Sequence, residues 1–192
     1  LSIPVVLTLL LVGPVVTWVS QLIAAGITAV QQFSPVLTGV LVGGLWQVLV
    51  VFGLHHAFTP IALNSLMVQG YENLTCYMAA VPFTTMAVVL AVYLRTKDKK
   101  LKSIALPAAI SSFFGVSEPS IYGVTLPLKR PFAFTLVSSA VGGAILGFFG
   151  CMRYTQGGLG FFNIPAFINP ASPELDMTFY GVFVALGVAM LM

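Results

Sequence analysis

Long apolar runs alternate with short polar interruptions along this chain, and the run lengths set the elements. A membrane-spanning helix needs about 20 predominantly apolar residues. Residues 3–30 supply a first run, with Pro4 near its start and Pro14 placed to kink it. Gln31, Gln32, Ser34 and Pro35 break the pattern, and residues 36–52 make a second run. Gly39 and Gly43 in that run have the spacing that allows helices to pack closely. Residues 53–70 are apolar but studded with His55, His56, Thr59, Pro60, Asn64 and Ser65. That pattern predicts a re-entrant or discontinuous helix, which survives at membrane depth only where protein or a cavity surrounds it.

Residues 76–94 predict a third crossing. Residues 104–128 are long enough to cross once, yet Pro107, Gly115, Pro119, Gly123 and Pro127 would interrupt a straight helix. A re-entrant hairpin with Glu118 near its tip fits better. Residues 132–152 cross again, with Gly142, Gly143 and Gly147 available for packing. Residues 153–177 read as a polar loop, and 179–192 begin a last crossing. The expected fold class is an all-α polytopic membrane protein, with about five transmembrane helices, the last truncated, plus two re-entrant or broken hairpin segments. Paired interrupted segments point to a transport site.

Composition strengthens the membrane reading. Hydrophobic residues make up 58% of the chain and charged residues 7%, against about 25% charged in soluble domains. No Asp, Glu, Lys or Arg precedes Glu72, a surface that suits lipid and excludes an ordinary soluble domain. Starting at Leu1 and stopping at Met192 inside an apolar run, the chain reads as a piece of a longer protein. Its first apolar stretch has no basic leader, unlike a signal peptide.

The charges orient the expected topology. Arg95, Lys97, Lys99, Lys100 and Lys102 form one basic cluster, and Lys129 and Arg130 a second. The preference for basic loops inside places the first cluster in the cytoplasm. A hairpin that enters and leaves on one side puts the second cluster there too. The net charge of +3 is an orientation signal and no nucleic-acid footprint. Cys76 and Cys151 stand far apart in sequence without metal-ligand spacing, so they read as small apolar side chains or a disulfide.

Glu118 is the leading candidate for chemistry. A carboxylate at the centre of a spanning helix costs roughly 2.5–3.5 kcal/mol on insertion scales, so an acid kept there points to function. It can accept hydrogen bonds from hydroxyls, which suits a sugar, or cap a half-helix. Gly115 and Gly123 allow close backbone approach to a ligand, and Pro119 fixes the turn. His55 and His56 can donate, accept and titrate near neutral pH. Neighbours on an α-helix point about 100° apart, so one of the two is expected to face a site. Their adjacency is poor for two zinc ligands on one face, and no metal is expected. Asn64, Thr59 and Gln47 suit either a polar cavity wall or hydrogen bonds between helices. Trp46, Phe58, Phe113, Phe114 and Tyr122 suit either sugar stacking or packing. No phosphate-binding loop of the GxxxxGK type occurs. A proton relay through Glu118 and a histidine, in a proton-coupled secondary sugar transporter, is the rival use of the same groups. A scaffold with no transported substrate is the third.

The residues Phe114-Gly-Val-Ser-Glu-Pro-Ser-Ile-Tyr-Gly-Val-Thr-Leu-Pro-Leu-Lys-Arg-Pro-Phe132 resemble the signature of the membrane C domain (EIIC) of phosphotransferase-system sugar permeases, glucose superfamily. Residues 125–132 most resemble the β-glucoside branch. Gly53-Leu-His-His56 and the stretch 93–107 resemble further motifs of that family, while Val116-Ser117 departs from its usual Ile-Thr and His56 from the Trp common in β-glucoside members. The resemblance implies that residues 1–192 are the C-terminal part of an EIIC domain, mostly transport domain, with the B and A domains absent from this chain. It implies a multi-pass protein of the bacterial inner membrane. Such a protein binds a β-glucoside or related disaccharide and translocates it, coupled to phosphorylation by a B-domain phosphocysteine. The phosphoryl group comes from phosphoenolpyruvate through enzyme I and HPr. The whole is a phosphohistidine–sugar phosphotransferase without a bound cofactor, and a homodimer. Carried over residue by residue, the resemblance makes Glu118 and His55 the catalytic candidates. Glu118, His55, His56, Asn64, Gly115, Ser117, Pro119 and Tyr122 become the sugar-binding ones.

Overall fold

The computed structural model describes residues 13–170 and 177–192. Expectations that fall on residues 1–12 and 171–176, Pro4 among them, lie outside the described residues. Among those described, the chain is all-α, and its one β feature is an isolated antiparallel bridge between Glu72 and Arg153.

Helix α1 is described over Gly13–Phe33, and α2 spans Pro35–Val51. Ser34 alone separates them. It caps α2 by accepting from the Leu37 amide at 3.3 Å, and Pro35 follows at the first helical position, where a missing N–H costs nothing. The histidine stretch is broken, as expected: a 3₁₀ turn at Leu54–Ala57 leads into α3, Phe58–Gln69. A second 3₁₀ turn, Cys76–Met78, precedes α4, Val81–Arg95. Together Cys76–Arg95 covers 20 residues of mean hydropathy 1.8, about 30 Å at 1.5 Å per residue. Helix α5, Lys99–Phe113, starts at Asp98, whose carboxylate accepts from the Lys100 amide at 2.8 Å.

Helix α5 runs through Pro107, which was expected to interrupt a straight helix. The proline removes the bond to the Ser103 carbonyl, and Ser103 lies on the exposed side, where that loss is least costly. After the tip at 114–117 the chain turns back as α6 (Glu118–Ser120), a π-helical turn (Ile121–Thr125) and α7 (Leu126–Leu128). Ser112 Oγ donates to Ser120 Oγ at 2.7 Å, and Ser120 Oγ donates to the Ala108 carbonyl at 2.8 Å, stitching the two arms together. Lys129, at φ 56°, breaks the backbone before α8, Arg130–Phe148. Helix α8 has 19 residues of mean hydropathy 1.6 and is the second helix long and apolar enough to cross a bilayer. A 3₁₀ segment, Gly160–Phe167, and α9, Met177–Leu191, complete the described chain.

Small and hydroxyl-bearing residues fill the central helix seam, while large apolar side chains lie on the outside. Helix α8 buries Thr135, Ser138, Ser139, Gly142, Gly143 and Gly147, while Phe134, Val137 and Phe148 are exposed. Against it lies α2, so close that a Cβ on Gly39 would stand 2.0 Å from the Gly143 carbonyl oxygen, and one on Gly43 2.3 Å from that of Ser139. Small residues at the seam and large apolar ones outside suit helices that associate in lipid. Polar groups join the same helices across their centre. Gln47 Nε2 donates to Thr85 Oγ1 at 2.5 Å, Thr135 Oγ1 donates to Gln47 Oε1 at 2.7 Å, and Thr84 and Ser139 hydroxyls lie 2.7 Å apart. Gln47 therefore ties α2, α4 and α8 together.

Candidate functional site

The tip of the hairpin is built by its sequence. Gly115 follows the last turn of α5 at φ +95°, a region that glycine enters without a Cβ penalty. The Gly115 amide donates to the Ser112 carbonyl at 2.8 Å, and the Val116 amide to that of Ser111 at 3.0 Å, the paired bonds of a Schellman stop. The chain reverses within three residues, and Glu118 opens the returning arm with Pro119 behind it.

The 3₁₀ segment packs on this tip through a second glycine. A Cβ on Gly115 would lie 2.3 Å from the Gly160 amide nitrogen, and one on Gly160 (φ +53°) 2.3 Å from that of Gly115. Two stacked ring pairs flank the contact, Phe113 on Phe161 at 5.2 Å and Phe114 on Phe162 at 5.6 Å. Phe113 and Phe114 thus serve as packing groups.

Between the tip, the histidine turn and the 3₁₀ segment lies a cavity of about 360 Å³, within the usual range for small-molecule sites. Glu118, Ser117 and Gly115 line it from the tip, His55 and His56 from the histidine turn, and Trp46, Phe58 and Thr59 beside them. Glu118 is exposed and makes no ion pair among the described residues, and His55 Nδ1 is buried without a hydrogen-bond partner. Both histidines border the cavity, where helical spacing predicted one. The segment is a 3₁₀ turn instead of an α-helix, and the two rings lean together with centroids 4.0 Å apart.

The other candidates lie elsewhere. Asn64 is exposed on α3 and does not line the cavity, and neither does Pro119. Tyr122 points its hydroxyl at the end of α2, donating to the Val51 carbonyl at 3.2 Å, and is not a lining residue.

A further wall was not foreseen. The stretch expected to be a polar loop folds inward, and its Arg153, Gln156 and Asn163 border the cavity. Arg153 is 6% exposed and Glu72 1%. Arg153 Nε stands 2.7 Å from Glu72 Oε1 as an ion contact, and its Nη2 donates to Gln156 Oε1 at 2.7 Å. Glu72 also accepts from the Thr75 amide and hydroxyl, at 2.9 and 2.6 Å. The available signal was isolation: Glu72 is the first charge of the chain, and Arg153 is the one basic residue outside the two clusters.

Residues 2–140 match the family model for the phosphotransferase system, EIIC. The chain belongs to that family. EIIC is a membrane domain, which accounts for the large apolar side chains on the outside of the bundle. The chain is 46% identical over 97% of its length to a PTS system beta-glucoside-specific EIIBCA component of Halalkalibacterium halodurans, covering 29% of that protein. It is 39% identical over 91% of its length to the component of the same description in Dickeya chrysanthemi, covering 27%. An Escherichia coli arbutin-, cellobiose-, and salicin-specific EIIBC component is 31% identical over 97% of the chain, which covers 38% of it. These similarities place this EIIC chain in the β-glucoside-type branch. It spans less than two fifths of the length of these relatives. No solved structure matches it.

Proposed function

We propose that this EIIC chain is the sugar-binding and translocating part of a phosphoenolpyruvate-dependent permease. Its cargo is a β-glucoside or related disaccharide, which a B-domain phosphocysteine phosphorylates at the inner face of a bacterial inner membrane. The observation that carries this reading is the convergence of the Glu118 carboxylate and the His55 imidazole, whose Nδ1 is buried without a partner, on one aromatic-walled cavity. A carboxylate accepts from two sugar hydroxyls, an imidazole nitrogen takes a third, and Trp46 offers a ring face. Glu118 and His55 are the catalytic candidates, acting chiefly by holding the reacting hydroxyl in place, which can supply much of such a rate. His56, Ser117 and Gly115 complete the near wall. The relatives named for β-glucosides support the sugar class.

The topology that serves this function has the hairpin entering and leaving from the cytoplasm. Arg95 and Arg130 border one surface depression, so both basic clusters lie at one end of the molecule, as the charge rule prefers. Glu118 at the far end of the arms then stands where an external sugar meets an internal phosphoryl donor.

The test is uptake of a labelled β-glucoside by vesicles loaded with phosphoenolpyruvate and the phosphocarriers. The expected product is intracellular sugar phosphate, with Glu118→Gln and His55→Ala each cutting its formation by about 10² or more while still inserting. Accumulation of free sugar that collapses with the proton gradient would refute the reading, as would wild-type uptake by both variants.

A further inference from the structure

Asn163 is 7% exposed, borders the cavity, and buries its side-chain Oδ1 without a hydrogen-bond partner. Buried amides nearly always satisfy their oxygen, because leaving it unpaired is destabilising. An orphaned acceptor on a cavity-wall residue is one that a group entering the cavity can satisfy. The surroundings hold it rigidly. The Tyr154 amide donates to the Ala166 carbonyl at 2.8 Å and closes the 153–167 loop on itself. The Glu72–Arg153 pair anchors the start of that loop, and the Gly115–Gly160 contact fixes it to the hairpin tip. Asn163 is thus held on the same rigid unit as Glu118, on a wall contributed by a different stretch of chain.

We propose that Asn163 is a further sugar-binding residue, whose side-chain carbonyl accepts a hydrogen bond from a substrate hydroxyl that Glu118 and His55 do not hold. Its chemistry narrows the ligand: the group opposite must donate a hydrogen bond, as a sugar hydroxyl does. Glu72 and Arg153 act as positioning residues for this wall. The inference rests on the sugar-permease reading and extends it to residues beyond the matched family region.

The experiment uses purified full-length protein with p-nitrophenyl β-glucoside and its single-deoxy analogues as probes. Asn163→Leu keeps the branched shape of the side chain at a somewhat larger volume and removes the amide, and Asn163→Asp keeps an acceptor. Because Leu replaces a buried unpaired polar group, its melting temperature without sugar is expected at or above wild type. Its affinity for the parent glucoside is expected to fall about tenfold or more, the scale of one lost hydrogen bond to a polar group. The wild-type preference for the parent over one particular deoxy analogue disappears in Asn163→Leu and persists in Asn163→Asp. Wild-type affinity in Asn163→Leu overturns the proposal. So does an equal loss for every analogue accompanied by a lower melting temperature, the mark of a purely structural role. If the unmodified protein binds no glucoside, the permease reading falls with it. If it binds, and Glu118→Gln abolishes binding while Asn163→Leu is silent, this inference alone is wrong.

Discussion

Replacing Gly115 by alanine tests whether the hairpin tip is held in register by the glycine clasp. The new Cβ would meet the Gly160 nitrogen at 2.3 Å, the Leu159 Cβ at 2.4 Å and the Leu159 carbonyl carbon at 2.6 Å. Ordinary contacts begin near 3.4 Å, so the two segments must part by about 1 Å. Two of the three clashing atoms are backbone, which cannot rotate away. Overpacking of this kind costs about 1–3 kcal/mol. The φ of +95° adds about 1–2 kcal/mol for a residue with a Cβ. The combined penalty, about 2–5 kcal/mol, is relieved most easily by displacing the tip, and Glu118 moves with it. A displacement near 1 Å at a positioned group costs about 10²-fold. In the full-length protein, Gly115→Ala is therefore expected to lose about 10² in the proposed glucoside phosphorylation and to melt earlier in detergent. Gly160→Ala would meet the Gly115 nitrogen at 2.3 Å and the Phe113 carbonyl oxygen at 2.4 Å, so it behaves alike. Gly26→Ala is the control: nothing lies within 4 Å of its Cβ, and it is expected to be silent. Wild-type phosphorylation by Gly115→Ala and Gly160→Ala would refute the clasp, and so would equal damage from Gly26→Ala.

Two other outcomes follow from the charges. Glu72→Gln leaves the buried Arg153 without its counter-ion and is expected to destabilise by about 3–5 kcal/mol, whereas a paired Glu72→Gln, Arg153→Met replacement costs much less; melting curves of the three proteins check this. The proposed cytoplasmic entry of the hairpin predicts that single cysteines at Lys99 and Lys129, both exposed, react with a membrane-impermeant maleimide in inside-out vesicles and not in right-side-out ones. The native Cys76 and Cys151 are buried and free, so they add little background. Labelling of the two sites from opposite sides would break the hairpin topology.

The fold was legible wherever one local rule decided the matter. The apolar runs, the Ser34-Pro35 break and the small residues of the α2–α8 seam state their role in periodicity and size alone. The broken stretches were legible as well from their glycines, prolines and histidines, although α5 continues through Pro107. What pattern could not carry was side-chain direction at a break. His55 and His56 share the cavity because a 3₁₀ turn replaces the α-helix, and Tyr122 bonds to the end of α2, 71 positions earlier. Gln47 was open between cavity and helix contact, and three-helix packing decided it. Asn64 carried the same ambiguity and faces outward.

The 153–167 stretch failed for a different reason. Glycines, prolines and polar residues there match a surface loop, and in a soluble protein that reading would hold. In a membrane domain the rule weakens, because irregular backbone is permitted where it lines a cavity. The buried Glu72–Arg153 pair makes such a place tolerable by neutralising both charges and by accepting the Thr75 donors. The same criterion that exposed residues 53–70 as a broken segment therefore applies a third time. Here the described charges that lie far from the basic loops gather at or beside the interior cavity. Glu118 and Arg153 border it directly, and Glu72 reaches it through its contact with Arg153.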